Sequence, residues 1–232
     1  LPNITIVSEL SNQLINSIDF QIFIGGSLFM EPQDTSKIES KFQSVISCRI
    51  SHRIPFFVIG ANFGPYTQAL HLELYKQWFK QIDGVCFRDK QSWKLFSNYP
   101  NVIWAPDLLF NYSLPIYSRI KKNITFVPIY NTGRIGLPDF SNEDYFSFQA
   151  NIACEYLKNG YYITLASFCE AQLDNIACEK IYNRIPDKLR KKVFLIKYQN
   201  DIDIFLQKFL NTDFIIGTRF HSIILSLKAR IP

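Results

Sequence analysis

The sequence has little of what marks metal-binding, disulfide-bonded or membrane-spanning proteins. Its five cysteines and three histidines form no CxxC pair and no Cys/His ligand spacing. We therefore predict no metal site and interpret the cysteines as scattered small apolar residues in a reducing compartment. No apolar run reaches the roughly 18 residues that a membrane-spanning helix needs. The N-terminus, "LPNI", lacks both a basic signal-peptide segment and an initiator methionine, which indicates a cytoplasmic protein and a chain that is a fragment.

Charge is not concentrated in any one region either. The formal net charge is +5, and "RKK" at 190–192 is the only dense basic run. This excess suits an anionic substrate and permits peripheral contact with the inner face of a membrane. Aromatic residues make up 16% of the chain, but they are not interleaved with basic residues as in nucleic-acid binders. We predict no nucleic-acid partner.

Short apolar runs alternate with longer helical patterns along the chain. Runs such as "FFVI" and "FIIG" lack polar alternation, as expected of strands that are buried on both faces. The predicted strands are "QIFIG" (21–25), "PFFVIG" (55–60), "GVCFR" (84–88), "NVIWA" (101–105), "NITFVPI" (123–129), "YYITLAS" (161–167), "VFLIKY" (193–198) and "DFIIG" (213–217). The predicted helices are 36–51, 69–82, 90–97, 143–158, 171–184, 201–210 and 219–229.

This alternation predicts parallel sheets with right-handed crossover connections. Neither periodicity holds in "LLFNYSLPIYSRIKKN" (108–123), where a proline and charges intervene, so we expect a domain boundary in that segment. The fold class is α/β, with two Rossmann-like doubly wound parallel-sheet domains that face a cleft. They comprise residues 1–114 and residues 115–232.

Ligands bind beyond the carboxyl ends of the strands in open parallel sheets, so the residues at those ends are candidates for binding. The first two strands are followed by small and polar residues, Gly25, Gly26, Gly60, Asn62 and Gly64. Glycines let backbone amides approach a ligand closely, but they equally serve to make tight turns. Neither loop is a GxGxxG motif, so a dinucleotide site is not predicted.

The third strand is followed by Arg88 and Asp89, and the fourth by Asp107. Asp89 is explained as the N-cap of the next helix, with Ser92 three residues further on. Arg88 lies where its guanidinium would reach the crevice, so it is either a ligand contact or the ion-pair partner of Asp89 or Asp107.

The last strand and helix carry the sharpest pattern. Gly217 ends the strand, Thr218 is the expected N-cap, and Arg219 and His221 then occupy the first and third helical positions. Amides and the macrodipole supply partial positive charge in that turn. Most of the remaining helix is apolar, which indicates burial. We predict an anion-binding site here, and the alternative is a surface cap that carries Arg219 and His221 by chance.

Several segments together resemble the polysaccharide pyruvyl transferase family. The C-terminal "IGTRFHSIILSLKARIP" is similar to the family's signature of a glycine, Arg-x-His-Ser and an apolar helix that ends in proline. Upstream, "IFIGGSLF", "FFVIGANFGPY", "VCFRDKQSWKLF" and "APDLLF" follow in the family's order. "ASFCEAQLDNIACEKI" resembles the segment that has an aspartate before a helix, here Asp174. The similarity covers nearly the whole chain.

The resemblance implies a GT-B-like fold and an activity. The enolpyruvyl group of phosphoenolpyruvate would be moved onto a sugar of a cell-surface polysaccharide or exopolysaccharide to form a pyruvate ketal. No cofactor is implied beyond phosphoenolpyruvate as donor substrate, and the acceptor would be a sugar or a lipid-linked oligosaccharide.

Residue by residue, the resemblance places Arg219 and His221 in the donor site, with Arg88 alongside. From the chemistry of the donor we predict His221 as the general acid and Arg219, with Arg88, as the clamp for the donor's anionic groups. Thr218, Asn62 and the glycine loops are weaker assignments, and Asp174 is a candidate base. Relatives extend beyond this chain at both ends, so we expect it to be truncated at both ends.

Two other functions are compatible with the same residues. A GT-B glycosyltransferase would place the diphosphate of a nucleotide sugar near Arg219 and the helix N-terminus. A non-catalytic remnant would keep the fold without turnover.

Overall fold

The computed structural model describes residues 16–132, 141–199 and 201–232. The chain divides into two compact units, Leu1–Leu108 and Leu109–Pro232, whereas the sequence places the boundary a few residues further along. The predictions made on the N-terminal "LPNITIV" lie outside the described residues. None of the helices in the described part of the chain is long and apolar enough to cross a membrane.

The first unit contains a four-stranded parallel sheet. Its strands are β1 (Gln21–Ile24), β2 (Phe56–Ala61), β3 (Gly84–Phe87) and β4 (Val102–Trp104), which lie side by side in chain order. Its helices are α1 (Ile38–Ile46), α2 (Ala69–Phe79) and α3 (Lys90–Phe96). Because right-handed crossovers between strands in chain order all lie on one face, these helices share one face of the sheet.

An aromatic core forms between that face and the helices. Phe79 of α2 is fully buried and packs edge-on against Phe87 of β3 and Phe96 of α3, at ring-centroid distances of 5.7 Å and 4.9 Å. On the opposite face of the sheet, Ile24 is 69% exposed and Ile103 is 59% exposed. Among residues 16–108, which the structure describes in this unit, the core therefore lies on the helical face of the sheet.

The second unit contains another four-stranded parallel sheet, in the order β7-β6-β5-β8. Its strands are β5 (Asn123–Val127), β6 (Tyr162–Ser167), β7 (Val193–Lys197) and β8 (Phe214–Gly217). Its helices are α4 (Asn142–Lys158), α5 (Asp174–Arg184), α6 (Asp187–Arg190), α7 (Ile202–Leu210) and α8 (Phe220–Ala229). Every residue of the central strand β5 is buried, including the polar Asn123 and Thr125, as expected of a strand that is covered on both faces.

The strand order of the second unit creates a topological switch point. The chain moves outward from β5 through β6 to β7 and then returns to β8 on the other side of β5. Val127 at the end of β5 lies opposite Gly217 at the end of β8. Connections leave these two strand ends in opposite directions, and ligands of open α/β sheets bind in the crevice that results.

The fold class is as predicted, and two helix predictions need correction. The helix predicted over 36–51 ends at Ile46, because the chain after it bonds to the start of β1, where Gln21 contacts the backbone of Cys48 and Ile50 at 2.6 Å and 2.9 Å. The helix predicted over 171–184 is broken at Leu173, after a short 3-10 turn. The short helix α6 was not predicted.

Candidate active site

The junction of β8 and α8 lies at the switch point of the second unit. A Cβ atom on Gly217 would approach the Ser222 hydroxyl to 2.5 Å, so the close packing of strand and helix requires a glycine here. The Thr218 hydroxyl donates to the Val127 carbonyl at 2.5 Å and so joins β8 to β5. Thr218 is therefore not the N-cap. Arg219 occupies that position and His221 is the second residue of the helix, one position earlier than predicted.

Arg219 is held in place by the side chains of Gln172, in the 3-10 turn before α5, and Asp174, the first residue of α5. Its Nε donates to Asp174 Oδ2 at 2.8 Å, and a terminal nitrogen donates to Asp174 Oδ1. The other terminal nitrogen donates to Gln172 Oε1. This pairing fixes the plane of the guanidinium and leaves part of its N–H donors for another acceptor.

Asp174 is fully buried, and both of its carboxylate oxygens accept hydrogen bonds. In addition to Arg219, its Oδ2 accepts the Cys169 backbone amide at 2.9 Å. The preceding residue, Leu173, adopts a left-handed conformation with φ 62° and ψ 25°. This turn brings the carboxylate back toward the strand end. These contacts give Asp174 a positioning role toward Arg219, and its candidate role as a base stays a prediction.

His221 lies on the exposed side of the first turn of α8. Its ring packs edge-on against Phe220 at a centroid distance of 5.5 Å. The buried Ser222 donates its hydroxyl to the Arg219 carbonyl at 2.6 Å, which closes the first turn from inside. The imidazole and the fixed guanidinium are therefore presented within one turn of one helix.

The start of α8 has no side-chain cap. The N-caps of α3, α4 and α7 (Asp89, Ser141 and Asp201) each accept a first-turn amide. At α8 the N-cap residue is Arg219, whose side chain is engaged with Asp174 instead. An uncapped helix start beside a guanidinium is a suitable place for an anion.

Tyr145 of α4 is a site residue that the sequence analysis missed. Burial raises the pKa of its phenol, and the nearby Thr218 side chain and Ile129 backbone offset part of that rise. The phenol therefore stays neutral at neutral pH. Sequence alone gave no signal, because Tyr145 is separated from Thr218 by most of the second unit.

The first unit gathers Arg88 and Asn62 at the carboxyl ends of β2 and β3. Arg88 pairs with Asp107 at 3.1 Å, and each side chain is 8% exposed. Arg88 also donates to Asn62 Oδ1 at 2.7 Å, and Ser27 donates to the same oxygen at 3.1 Å. Asp107, and not Asp89, is thus the carboxylate partner.

Asp89 is the N-cap of α3 as predicted, and it accepts both the amide and the hydroxyl of Ser92 at 2.7 Å. The predicted glycines lie around the Arg88 network. Gly26 approaches it most closely, since its Cβ position is 4.0 Å from an Arg88 nitrogen. Gly25 is packed against Leu28, where a Cβ would come within 2.2 Å of a methyl carbon.

Gly60 and Gly64 have positive φ angles, +73° and +84°. Gly60 is the extra residue of a β-bulge between β2 and β3, since Ile59 pairs with Cys86 and Ala61 with Phe87. The bulge turns the strand so that Asn62 meets Arg88. Both glycines have a sufficient backbone explanation. Among the described residues, no group of three His, Cys, Asp or Glu side chains could hold a metal ion.

Two Rossmann-like parallel sheets, with a guanidinium fixed at the switch point of the second, define an α/β protein of GT-B-like fold. The model of the family described as polysaccharide pyruvyl transferase matches residues 3–232. The chain therefore belongs to the polysaccharide pyruvyl transferase family.

Among solved structures, the chain is similar to UDP-N-acetylglucosamine 2-epimerase from Rickettsia bellii, with 9% identity, a TM-score of 0.53, and coverage of 92% of this chain and 55% of that one. Accessory secretory protein 1, 2 and 3 of Streptococcus pneumoniae gives 14% identity, a TM-score of 0.43, and coverage of 91% and 39%. An alpha,alpha-trehalose-phosphate synthase (UDP-forming) from Burkholderia vietnamiensis gives 10% identity, a TM-score of 0.39, and coverage of 76% of this chain and 57% of that one. The chain thus spans about half the length of these structures, and the first of them supports the fold alone. A comparison with curated proteins gave no match.

Proposed function

We propose that the protein transfers the enolpyruvyl group of phosphoenolpyruvate to a sugar of a cell-surface polysaccharide or exopolysaccharide, giving a pyruvate ketal. The observation that carries the proposal is the Arg219 guanidinium, fixed by Asp174 and Gln172 at an uncapped helix start that also carries His221. Membership of the family supports the reaction class.

The donor carries a carboxylate and a phosphate, and a guanidinium of fixed plane suits such groups because it can bind two oxygens at once. Asp174 balances the charge of Arg219. Donor affinity therefore depends on directed N–H groups and on the start of α8 more than on net charge. In the first unit, Arg88 is the residue that we propose for substrate binding, with Asn62 and Gly26 beside it.

His221 is the proposed general acid. It gives a proton to the methylene carbon of the donor, and the adjacent carbon becomes an oxocarbenium-like centre that one sugar hydroxyl attacks. The C–O bond to phosphate then breaks, and a second hydroxyl of the sugar closes the ketal. One hydroxyl proton replaces the proton that His221 gave, and the other leaves with phosphate, so sugar and donor yield ketal and inorganic phosphate.

We place the acceptor, a sugar or lipid-linked oligosaccharide, on the cytoplasmic side of the membrane. The mildly basic composition supports this location, since it favours the proximity of anionic lipids. No described residue is assigned as the base that activates the hydroxyl.

Replacing His221 by alanine tests the assignment. We expect phosphate release from phosphoenolpyruvate with a glycan acceptor to fall about 10²–10⁴-fold, the usual contribution of a general acid, while donor affinity changes far less. Arg219→Lys keeps the charge but loses the paired geometry, so it should weaken donor binding. The measurements are initial rates and donor-dependent thermal stabilisation of the full-length protein.

His52→Ala is the control, because His52 lies in an exposed loop of the first unit. Unchanged turnover in His221→Ala would remove the acid assignment. Thermal stabilisation by nucleotide sugars but not by phosphoenolpyruvate would indicate the glycosyltransferase alternative. Stabilisation by neither, with no turnover, would indicate a non-catalytic protein.

A further inference from the structure

A cavity lies in the second unit, at the carboxyl ends of β6 and β7 and beside the first turns of α5. Its volume is about 280 Å³. The residues that carry the argument are Ser167, Asn175, Cys178, Glu179, Lys197 and Lys208. The cavity belongs to a single unit, and Arg219 and His221 are not among its lining residues.

Two polar atoms at this cavity are buried without a hydrogen-bond partner in the described residues. They are Ser167 Oγ and Asn175 Oδ1, and Ser167 is only 3% exposed. A buried hydroxyl or amide oxygen without a partner is costly, so such atoms are rare in folded proteins and require an explanation. Because both atoms belong to residues that line one cavity, an occupant that hydrogen-bonds to them provides that explanation.

The charged groups around the cavity favour an anion at its edge. Lys197 is about half exposed and pairs with Glu170 at 3.1 Å. Lys208 is exposed and has no ion pair among the residues that the structure describes. Burial raises the pKa of the Cys178 thiol, so this group is uncharged at neutral pH. The Glu179 carboxylate adds an acceptor for hydroxyl groups.

The volume limits the size of the occupant. Pockets for drug-sized ligands have volumes of roughly 300–1,000 Å³, so this cavity suits a single ring and not a nucleotide sugar. Hydroxyl, amide and carboxylate groups beside ammonium groups match a sugar ring that carries a phosphate. The family description, which concerns polysaccharides, agrees with a carbohydrate ligand.

We propose that this cavity binds a phosphorylated monosaccharide, at a site separate from the anion site at Arg219. Ser167 Oγ and Asn175 Oδ1 bond to the ring hydroxyls, and Lys208 contacts the phosphate. The two sites are neighbours along the chain, since Asp174 contacts Arg219 while the next residue, Asn175, lines the cavity. Strand β5 lies between β6 and β8, which separates the strand ends at the two sites by roughly 10 Å, or two strand spacings.

Binding is measured by calorimetry and thermal stabilisation on the 232-residue chain, independently of turnover. The probes are the 1-phosphates of glucose, galactose and mannose, the methyl glycosides of the same sugars, and inorganic phosphate. We expect at least one hexose 1-phosphate to bind more tightly than both its methyl glycoside and phosphate. Its binding should persist in the presence of saturating phosphoenolpyruvate.

The variants connect the binding to the cavity. Lys208→Gln should weaken hexose 1-phosphate binding about tenfold, since it removes one charged hydrogen bond. Lys191→Gln is the matched control, because this exposed lysine lies outside the cavity. Ser167→Ala should also weaken binding, but it should leave the ligand-free melting temperature unchanged or higher, since the lost hydroxyl has no partner there.

Equal binding by Lys208→Gln and Lys191→Gln would overturn the proposal. So would equal affinity for phosphate alone, which would indicate an adventitious ion only, or no binding by any probe, which would indicate bound water. Competition with phosphoenolpyruvate would place the sugar phosphate at Arg219 instead. Failure of phosphoenolpyruvate to bind, with hexose 1-phosphate still bound, would count against the proposed function and not against this site.

Discussion

Asp174 is a buried carboxylate that positions the Arg219 guanidinium. A buried ion pair adds little net stability, because removing two charges from water costs about as much as their attraction returns. The pair with Arg219 nevertheless has two-point geometry. Gln172 Oε1 accepts a further hydrogen bond from Arg219, and the Cys169 amide donates one to Asp174. Such a network holds a guanidinium in one orientation, as required of a residue that binds an anion in a fixed pose.

Glu31 has a comparable but purely structural role in the first unit. Its carboxylate accepts the backbone amides of Thr67 and Gln68 at 2.5 Å and 2.9 Å, just before α2, and the Thr67 hydroxyl at 2.9 Å. Burial tends to raise the pKa of the Glu31 carboxyl, but the hydrogen bonds from Gln68 and Thr67 outweigh burial and lower it. Glu31 therefore caps α2 from a distant point in the chain.

Replacing Glu31 by glutamine should destabilise the first unit at neutral pH. We expect a loss of about 1 kcal/mol in the free energy of unfolding, as for other lost helix caps. Because the folded-state pKa lies below the unfolded value, the stabilisation is present above roughly pH 4.3 and is lost as pH falls through the folded pKa. Urea unfolding of both proteins between pH 3 and 7 measures this.

Glu155→Gln is the control for that experiment, since Glu155 is exposed and has no described ion pair. The Glu155→Gln substitution should change the free energy of unfolding only slightly at every pH. A Glu31→Gln deficit that stays constant down to pH 3 would contradict the capping role.

Contacts between near neighbours in sequence could be predicted, and distant ones could not. The Asp89–Ser92 cap follows from a local rule about helix starts, and the structure confirms it. The pairs Asp174–Arg219 and Glu31–Thr67 span 45 and 36 residues, so no local pattern specifies either. The sequence offers two carboxylate partners for Arg88, Asp89 and Asp107. The structure shows that the partner is Asp107.

At the scale of whole elements, all eight strands were predicted because each is a short apolar run next to turn residues. The strand order was not predictable, since one sheet follows chain order and the other reverses at β8. The break at Leu173 was missed for a physical reason. Leucine rarely adopts a positive φ, so its sequence neighbourhood reads as continuous helix.

Leu173→Gly tests whether that strained turn serves to position Asp174. Glycine adopts φ 62° without steric cost, whereas a residue with a Cβ is strained there by about 1 kcal/mol. We expect Leu173→Gly to be more stable than Leu173→Ala by up to about 1 kcal/mol. The greater conformational entropy of glycine in the unfolded chain offsets part of the relieved strain. Thermal unfolding of both variants measures the difference.

In that comparison alanine is the matched control, because it removes the same side chain and retains the strain. Donor binding by Leu173→Gly should equal that of the unsubstituted protein, since the turn is kept. Equal stability of the glycine and alanine variants would show that the turn is not strained.

At the scale of the whole molecule, the chain builds separate cores that share no residue. The core of the first unit is dominated by aromatic rings around Phe79, while those of the second contain Phe146 of α4 and Phe209 of α7. Each unit thus has the internal packing that an independently folding domain requires. The sequence predicts two domains because the apolar periodicity stops between two complete strand series.

The separate cores predict that damage to one unit leaves the other protected. Phe79→Ala removes a fully buried ring and should lower the stability of the first unit by about 3–5 kcal/mol. Amide hydrogen exchange should then accelerate in β2 and β3 much more than in β5 and β6. Phe209→Ala, which removes an equally buried ring from the second unit, should give the reverse pattern.

If either variant does not fold, the corresponding leucine substitution gives the same comparison with a smaller loss of stability. Equal acceleration in both units for both variants would mean that the chain unfolds as one cooperative body, because the loss in one core would then be transmitted in full to the other.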